Sequence, residues 1–366
     1  MHSALDLEGN GLILFGTLMV SILILVNARQ IGDALQIMDH PDAVRKRHPQ
    51  VTPLVGGLAV MVPLVLWAGV ALIRNVVPDV KLVEAILLCG AGATLLGYTD
   101  DQRGTSPSSR LLSLFLLSAI ALVVDPDLLP TQINWGSFAP FVFPQWFAYM
   151  FIAVAMAGYV NAVNMSDGQN GVATGMFAIW AACLMLVTGG DTASIAEVLF
   201  ETVCVTFLFN MAGRVFIGDS GSYGIAFVFG ILAIKAHNSW GVSAETIVVW
   251  FFIPVMDCIR LMVARLLHGR APSNADRNHF HHRLEDRIGK TAGLCTYLGV
   301  VGASSLIASA RPHLALVCTV VLAAFYFSFA WLTETEPKTN AVEEPEEVVV
   351  SKIIKFAGKD GSVDRL

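Results

Sequence analysis

Residues 145–171 read QWFAYMFIAVAMAGYVNAVNMSDGQNG. No Asp, Glu, Lys or Arg occurs in this stretch before Asp167. About 20 such residues cross the hydrocarbon core of a bilayer as one helix. The segment then changes character abruptly, packing Asn161, Asn164, Asp167 and Asn170 into its last turns beside Gly168 and Gly171. A membrane helix that ends in a dense polar cluster places hydrogen-bonding side chains at an interface rather than in lipid.

The rest of the chain repeats the first half of this pattern. Of 366 residues, 55% are hydrophobic and 14% charged, against about 25% charged in an ordinary soluble domain. The mean hydropathy is +0.64. Apolar runs predict helices over roughly 10–28, 53–73, 82–99, 111–124, 145–165, 172–189, 196–213, 222–236, 245–267, 293–310 and 313–332. The expected fold is therefore all-α, a polytopic membrane protein of about eleven spans occupying residues 1–332. Residues 333–366, with Glu334, Glu336, Glu343, Glu344, Glu346 and Glu347, are expected to form an acidic, disordered tail. Asp6 and Glu8 precede the first run and no small-residue cleavage site follows it, so it is expected to be a retained helix. The six cysteines all lie in apolar runs without metal-ligand spacing and are expected to pack as small hydrophobes.

Basic residues choose the sides. One alternating set of helix ends and loops holds Arg29, Arg45, Lys46, Arg47, Arg103, Arg110, Arg214, Arg265, Arg270, Arg277, Arg283, Arg287 and Lys290. The other holds little beyond Arg74, Lys81, Lys235 and Arg311. The positive-inside rule makes the first set cytoplasmic, with the N-terminus outside and the C-terminus inside.

Four acidic or histidine-bearing clusters then fall on that cytoplasmic side, although acids took no part in choosing it. They are GYTDDQRG with Asp100 and Asp101, NAVNMSDGQNG with Asp167, FIGDSGSYG with Asp219, and a loop with Asp276, His279, His281 and His282. Any one acid at a helix end reads as solvated. Several at one cleft repel one another, and a bound cation or proton uptake relieves that. Oxygen ligands without thiolates suit Mg²⁺ or Mn²⁺, and magnesium in turn suits a phosphate-bearing substrate. The HFHH spacing matches no zinc motif. Asp257 and Arg260, at i,i+3 beyond Pro254, are expected to neutralise each other as a structural pair. A transporter or flippase is the alternative class; it predicts acids near mid-bilayer and related sets of helices. Nothing in the sequence points to nucleic acid.

Five motifs in order carry a resemblance over about residues 35–290: DHPDAVRKRHPQVTPLVGG, the Asp100–Asp101 pair, NAVNMSDGQNG, FIGDSGS, and PVMD followed by ADRNHFHHRL. The chain resembles the polyprenyl-phosphate N-acetylhexosamine-1-phosphate transferases, and most closely the branch using UDP-N-acetylglucosamine. Asn170 stands where many bacterial members carry a second Asp, keeping an oxygen acceptor but losing the charge; Gly104 lies near a position that is acidic in many. The resemblance implies attack by a lipid phosphate on the β-phosphorus of a UDP-N-acetylhexosamine, with UMP leaving. It implies Asp219 and Asn164 at Mg²⁺, and Asp167, Asn161 and Asn170 at the nucleotide. Arg265, His279, His281 and His282 would hold the diphosphate or sugar, and Asp100 and Asp101 would activate the polyprenyl phosphate. The implied setting is a bacterial inner membrane, with membrane lipid around the chain. The exact sugar, lipid length and oligomeric state stay open, a homodimer included.

Overall fold

The computed structural model describes residues 2–41, 50–136, 139–269 and 278–332. The RKRH run at 45–48, Asp276 and the acidic tail at 333–366 lie outside the described residues. Helices α1 (His2–Val26), α2 (Ala28–Leu35) and α3 (Gly56–Ile73) come first, the last two flanking strands β1 (Met38–Asp39) and β2 (Thr52–Pro53). A composite rod follows, built from α4 (Val80–Ala85), a π-turn at Ile86–Gly90 and α5 (Ala91–Arg103). Next come α6 (Pro107–Val124), the ribbon β3 (Gln132–Ile133) and β4 (Phe141–Val142), and α7 (Gln145–Ser166). The chain continues through α8 (Val172–Val187), α9 (Gly190–Met211), α10 (Gly218–Trp240) and α11 (Ala244–Leu267). Helices α12 (Phe280–Ile288), α13 (Lys290–Ala310) and α14 (Ala315–Leu332) complete it.

The helical membrane fold stands, and each of the eleven expected segments contains a helix. Eight described helices are long and apolar enough to cross a membrane, or nine if α1 and α2 form one span broken by a 71° bend. Helix α8 is a shorter apolar helix, and α10, which carries Asp219 and Lys235, is not among the eight.

Helix α10 is nonetheless the centre of the bundle. Every residue from Ser220 to Ala233 is buried, which fits a helix that is apolar or small on all faces. It packs against α3, α5, α7 and α8. Glycine makes two of these crossings close: a Cβ on Gly97 of α5 would collide with the Asp219 carbonyl group, and one on Gly57 of α3 with the backbone of Gly221. Backbone meets backbone there, as small residues permit between membrane helices.

Two helix starts are held by other parts of the chain. The first free N–H groups of α3, on Gly56 and Gly57, donate to the carbonyls of Phe216 and Ile217, each at 2.9 Å. The N–H groups of Asp219 and Ser220, in the first turn of α10, donate to the Asp101 carboxylate at 2.8 and 3.0 Å. An N-cap residue normally serves that purpose locally; here α5 supplies it across the helix pair.

At the far end of α10, Lys235 is buried and lies 2.7 Å from Asp79 and 3.5 Å from Asp125. One further acid sits midway along a span: Glu201 of α9 accepts a hydrogen bond from Thr17 of α1.

Candidate active site

Helices α5 and α7 finish, and α10 begins, at the same end of the bundle. Their tips enclose a cleft of about 1020 Å³ whose wall includes Asp100, Asp101, Asn164, Asp167, Asn170, Asp219 and His282. Residues from four separate stretches of sequence thus face one space.

The four aspartates are held differently. Asp100 is buried and accepts from Thr105 through the backbone N–H at 2.6 Å and the hydroxyl at 2.9 Å. The Tyr223 hydroxyl donates to it at 3.0 Å, and Arg110 Nη1 pairs with it at 3.0 Å. Asp101 is engaged at the start of α10. Because that bond fixes the first turn of α10, it also fixes where the Asp219 side chain emerges. Asp219 Oδ1 accepts from Asn164 Nδ2 at 2.6 Å, and the same amide nitrogen lies 2.8 Å from Ser222 Oγ.

Asp167 ends α7, its N–H donating to the Asn164 carbonyl at 3.1 Å. Burial, followed by the nearby charges of Asp219 and Asp101, pushes its carboxyl up to about 8. Concentrated negative charge of this kind is relieved by a cation. The donors are hard oxygens, which suit Mg²⁺. Among the described residues no three His, Cys, Asp or Glu side chains already form a metal cluster. That is compatible with magnesium, which is commonly held by one or two carboxylates with water and substrate phosphate completing its shell. Asn164 donates its amide N–H₂ to Asp219 as placed, so ligation through its oxygen requires the amide to turn over.

The family resemblance also implies substrate contacts for Asn161, Arg265, His279 and His281, and these are not among the cleft-lining residues. Asn161 is half-buried one turn before Asn164, and Arg265 is buried near the end of α11. His279 places Nδ1 2.9 Å from Asp257 Oδ2. His281 lies directly behind the turn that follows α7: a Cβ on Gly168 would sit 2.5 Å from its Nε2 and 3.2 Å from Nε2 of His282. The histidine segment is therefore pressed against the DGQN turn, with His282 alone of the three reaching the cleft wall.

Asp257 organises that segment. It pairs with Arg260 at 2.9 Å, as the i,i+3 spacing predicts, and also accepts from the Tyr326 hydroxyl at 2.8 Å and the Phe280 N–H at 3.2 Å. A single buried carboxylate thus ties α11, the start of α12 and Tyr326 of α14 together.

The cleft wall further includes Asp39, Gln50, Gln169, Asn210, Glu285, Asp286 and Lys290. Gln169 belongs to a motif already singled out, and Lys290 was counted among the basic residues. Asn210 carries no local signal in the sequence. Its side chain accepts from the Gly171 N–H at 2.7 Å and donates to the Val215 carbonyl at 2.9 Å, joining the end of α9 to both neighbouring turns.

Known proteins resemble this chain over most of its length. The family model described as glycosyl transferase family 4 matches residues 83–237. A Yersinia pestis undecaprenyl-phosphate alpha-N-acetylglucosaminyl 1-phosphate transferase is 30% identical over 310 residues, 77% of this chain and 81% of the relative. The protein of the same name from Salmonella typhi is 26% identical over 272 residues, covering 70% and 71%. A Bacillus subtilis (strain 168) protein named as a probable undecaprenyl-phosphate N-acetylglucosaminyl 1-phosphate transferase is 26% identical over 282 residues, covering 73% and 75%. The chain belongs to glycosyl transferase family 4.

Proposed function

We propose that this protein transfers N-acetylglucosamine 1-phosphate from UDP-N-acetylglucosamine to undecaprenyl phosphate, releasing UMP and beginning a lipid-linked cell-surface glycan. One observation carries the reading: Asp100, Asp101, Asp167 and Asp219, far apart in sequence, line one cleft at one end of a membrane bundle. The names of the relatives supply the donor sugar and the lipid acceptor. The basic residues Arg103, Arg110, Arg214 and Lys290 belong to the side read as cytoplasmic, which supports a cleft opening inward at the bacterial inner membrane.

The chemistry is an in-line attack by an oxygen of the lipid phosphate on the β-phosphorus, breaking its bond to the oxygen bridging to the α-phosphorus. The protein's share is alignment and charge neutralisation. Asp219, with Asn164 after its amide turns and Asp167 beside them, would hold Mg²⁺. That ion supplies positive charge to the donor diphosphate and the departing UMP. Asn170 and Gln169 border the same wall and offer amide groups to the nucleotide, while His282 and Lys290 offer donors to the diphosphate. The lipid phosphate, with a second pKa of about 6, is mostly dianionic at neutral pH and needs no strong base. Asp100, held by Thr105, Tyr223 and Arg110, therefore acts by fixing Arg110 at the acceptor's approach. It does not need to remove a proton.

The test is UMP release by purified protein given UDP-N-acetylglucosamine, undecaprenyl phosphate and Mg²⁺, beside a panel of other UDP-sugars. Release that requires both substrates and stops in chelator is expected, with UDP-N-acetylglucosamine the preferred donor. No UMP with any donor would overturn the reading and return the protein to the transporter class.

A further inference from the structure

Three sulfur atoms meet between α7 and α11, two helices that pack together. Cys258 Sγ lies 3.4 Å from Met165 Sδ and 3.7 Å from Met262 Sδ. Met262 follows Cys258 by one helical turn, so both stand on one face of α11, while Met165 arrives from the last turn of α7. Cys258 is buried, Met165 half-buried and Met262 37% exposed, so the thiol is enclosed by protein and reachable past Met262. A thiol has one hydrogen to donate, and two thioethers facing it are more acceptors than it can use. None of the three residues lines the polar cleft.

This donor set selects its ligand. Thiolate and thioether sulfur favour Cu(I) over the hard ions that suit the cleft. Asn161 donates its amide N–H to Met165 Sδ at 3.5 Å, so the nitrogen there presents no lone pair to a metal. Charge decides the valence. Cu(I) binding displaces the Cys258 proton to solvent, and one thiolate with one monovalent ion leaves the buried complex neutral; a divalent ion would leave a net positive charge, which is costly to bury. With metal–sulfur bonds of about 2.3 Å, as in zinc thiolates, three sulfurs around a trigonal ion stand about 4 Å apart, so the separations at Cys258 need to open by only about half an ångström to admit one.

We propose that Met165, Cys258 and Met262 form a binding site for a soft monovalent cation, Cu(I) with Ag(I) as its analogue, and that its occupation slows transfer. Met165 lies between Asn164 and Asp167 in the chain, so an ion that draws its sulfur toward α11 displaces the end of α7 that carries both cleft residues. The site itself is independent of the transferase reading. Only the loss of transfer rests on it.

Cu(I) titrated into the purified whole protein from a chromogenic chelator, in reducing, oxygen-free buffer, tests the site. The exposed thiol of Cys295 is removed by Cys295→Ser in every sample. In that background X-ray absorption is expected to show Cu(I) with three sulfur neighbours. Met262→Leu should leave two and weaken binding about tenfold, equivalent to about 1.4 kcal/mol, and Cys258→Ser should abolish the tight site. Leu is close to Met in volume, so the fold is retained. A Cu(I) stoichiometry unchanged in Cys258→Ser, or an affinity unchanged in Met262→Leu, would overturn the site. Saturating Cu(I) is also expected to lower UMP release by about fivefold or more, the lower end of ordinary coupling between sites, and to leave the Cys258→Ser protein unaffected. Equal inhibition in both would show copper acting elsewhere and would overturn the coupling to the cleft. A protein that bound Cu(I) as described but released no UMP with any donor would sink the transferase reading and leave the sulfur site standing.

Discussion

Replacing Asp219 by Asn is expected to lower the rate of UMP release roughly 10²- to 10³-fold without unfolding the protein. The substitution is isosteric, and its carbonyl oxygen can still accept from Asn164 Nδ2, now 2.6 Å away. The bond from Asp101 to the first turn of α10 involves the backbone of residue 219, so it survives. What is lost is one negative charge at the wall of the cleft. That charge would hold the cation on the donor diphosphate, and it has greatest value as charge develops on the departing UMP. Elution of the variant as the wild-type particle in detergent, with the rate reduced to this extent, is the expected pair of results. Near-normal turnover would remove Asp219 from the chemistry.

The largest loss of stability is expected from Asp257→Ala. The Asp257 side chain is 3% exposed and faces both Arg260 and His279. Removing it leaves the buried side of Arg260 without its carboxylate and takes an acceptor from Tyr326 and the Phe280 N–H. Breaking a buried pair in this way costs about 3–5 kcal/mol, partly offset by the partial exposure of Arg260. Thermal unfolding in detergent should begin at least about 5 °C lower, and the histidine segment behind Gly168 should lose its seat. An unchanged melting temperature would show that α11 and α12 are joined by other contacts.

Much of this architecture is legible in the sequence because its signals are local. A stretch such as 145–166, without a single Asp, Glu, Lys or Arg, can only be apolar helix in a membrane chain, and a helix lies there. The polar motifs that end α5 and α7 and open α10 are visible as breaks in apolar runs, and the alternation of helix directions puts them at one end of the bundle; that they share one cleft is seen only in the fold. The Asp257–Arg260 pair was readable from helical spacing alone.

What escaped the reading is non-local. No spacing rule reveals that Asp101 caps a helix that begins more than a hundred residues later, or that Asn210 braces two turns by its amide. The resemblance implies His279 at the diphosphate or sugar; its contact with Asp257, 22 residues earlier, is visible only in the fold. The eleven expected spans rest on hydropathy, which treats every apolar helix alike, whereas eight described helices, or nine with the bent pair, are long and apolar enough to cross a membrane. Helix α10 is apolar because other helices cover it from Ser220 to Ala233, and α8 is only 16 residues long. Glu201 was passed over because it sits inside an apolar run, with its partner on α1.

Equilibrium binding of radiolabelled UDP-N-acetylglucosamine to the purified protein, with and without Mg²⁺ and without lipid acceptor, addresses the cleft itself. Clustered carboxylates that grip a diphosphate only through a shared cation predict tight binding with Mg²⁺, little without it, and at least about tenfold weaker Mg²⁺-dependent binding in Asp219→Asn, about 1.4 kcal/mol. Equal affinity in all three conditions would mean that the donor is held elsewhere and that these aspartates do not serve a common ion.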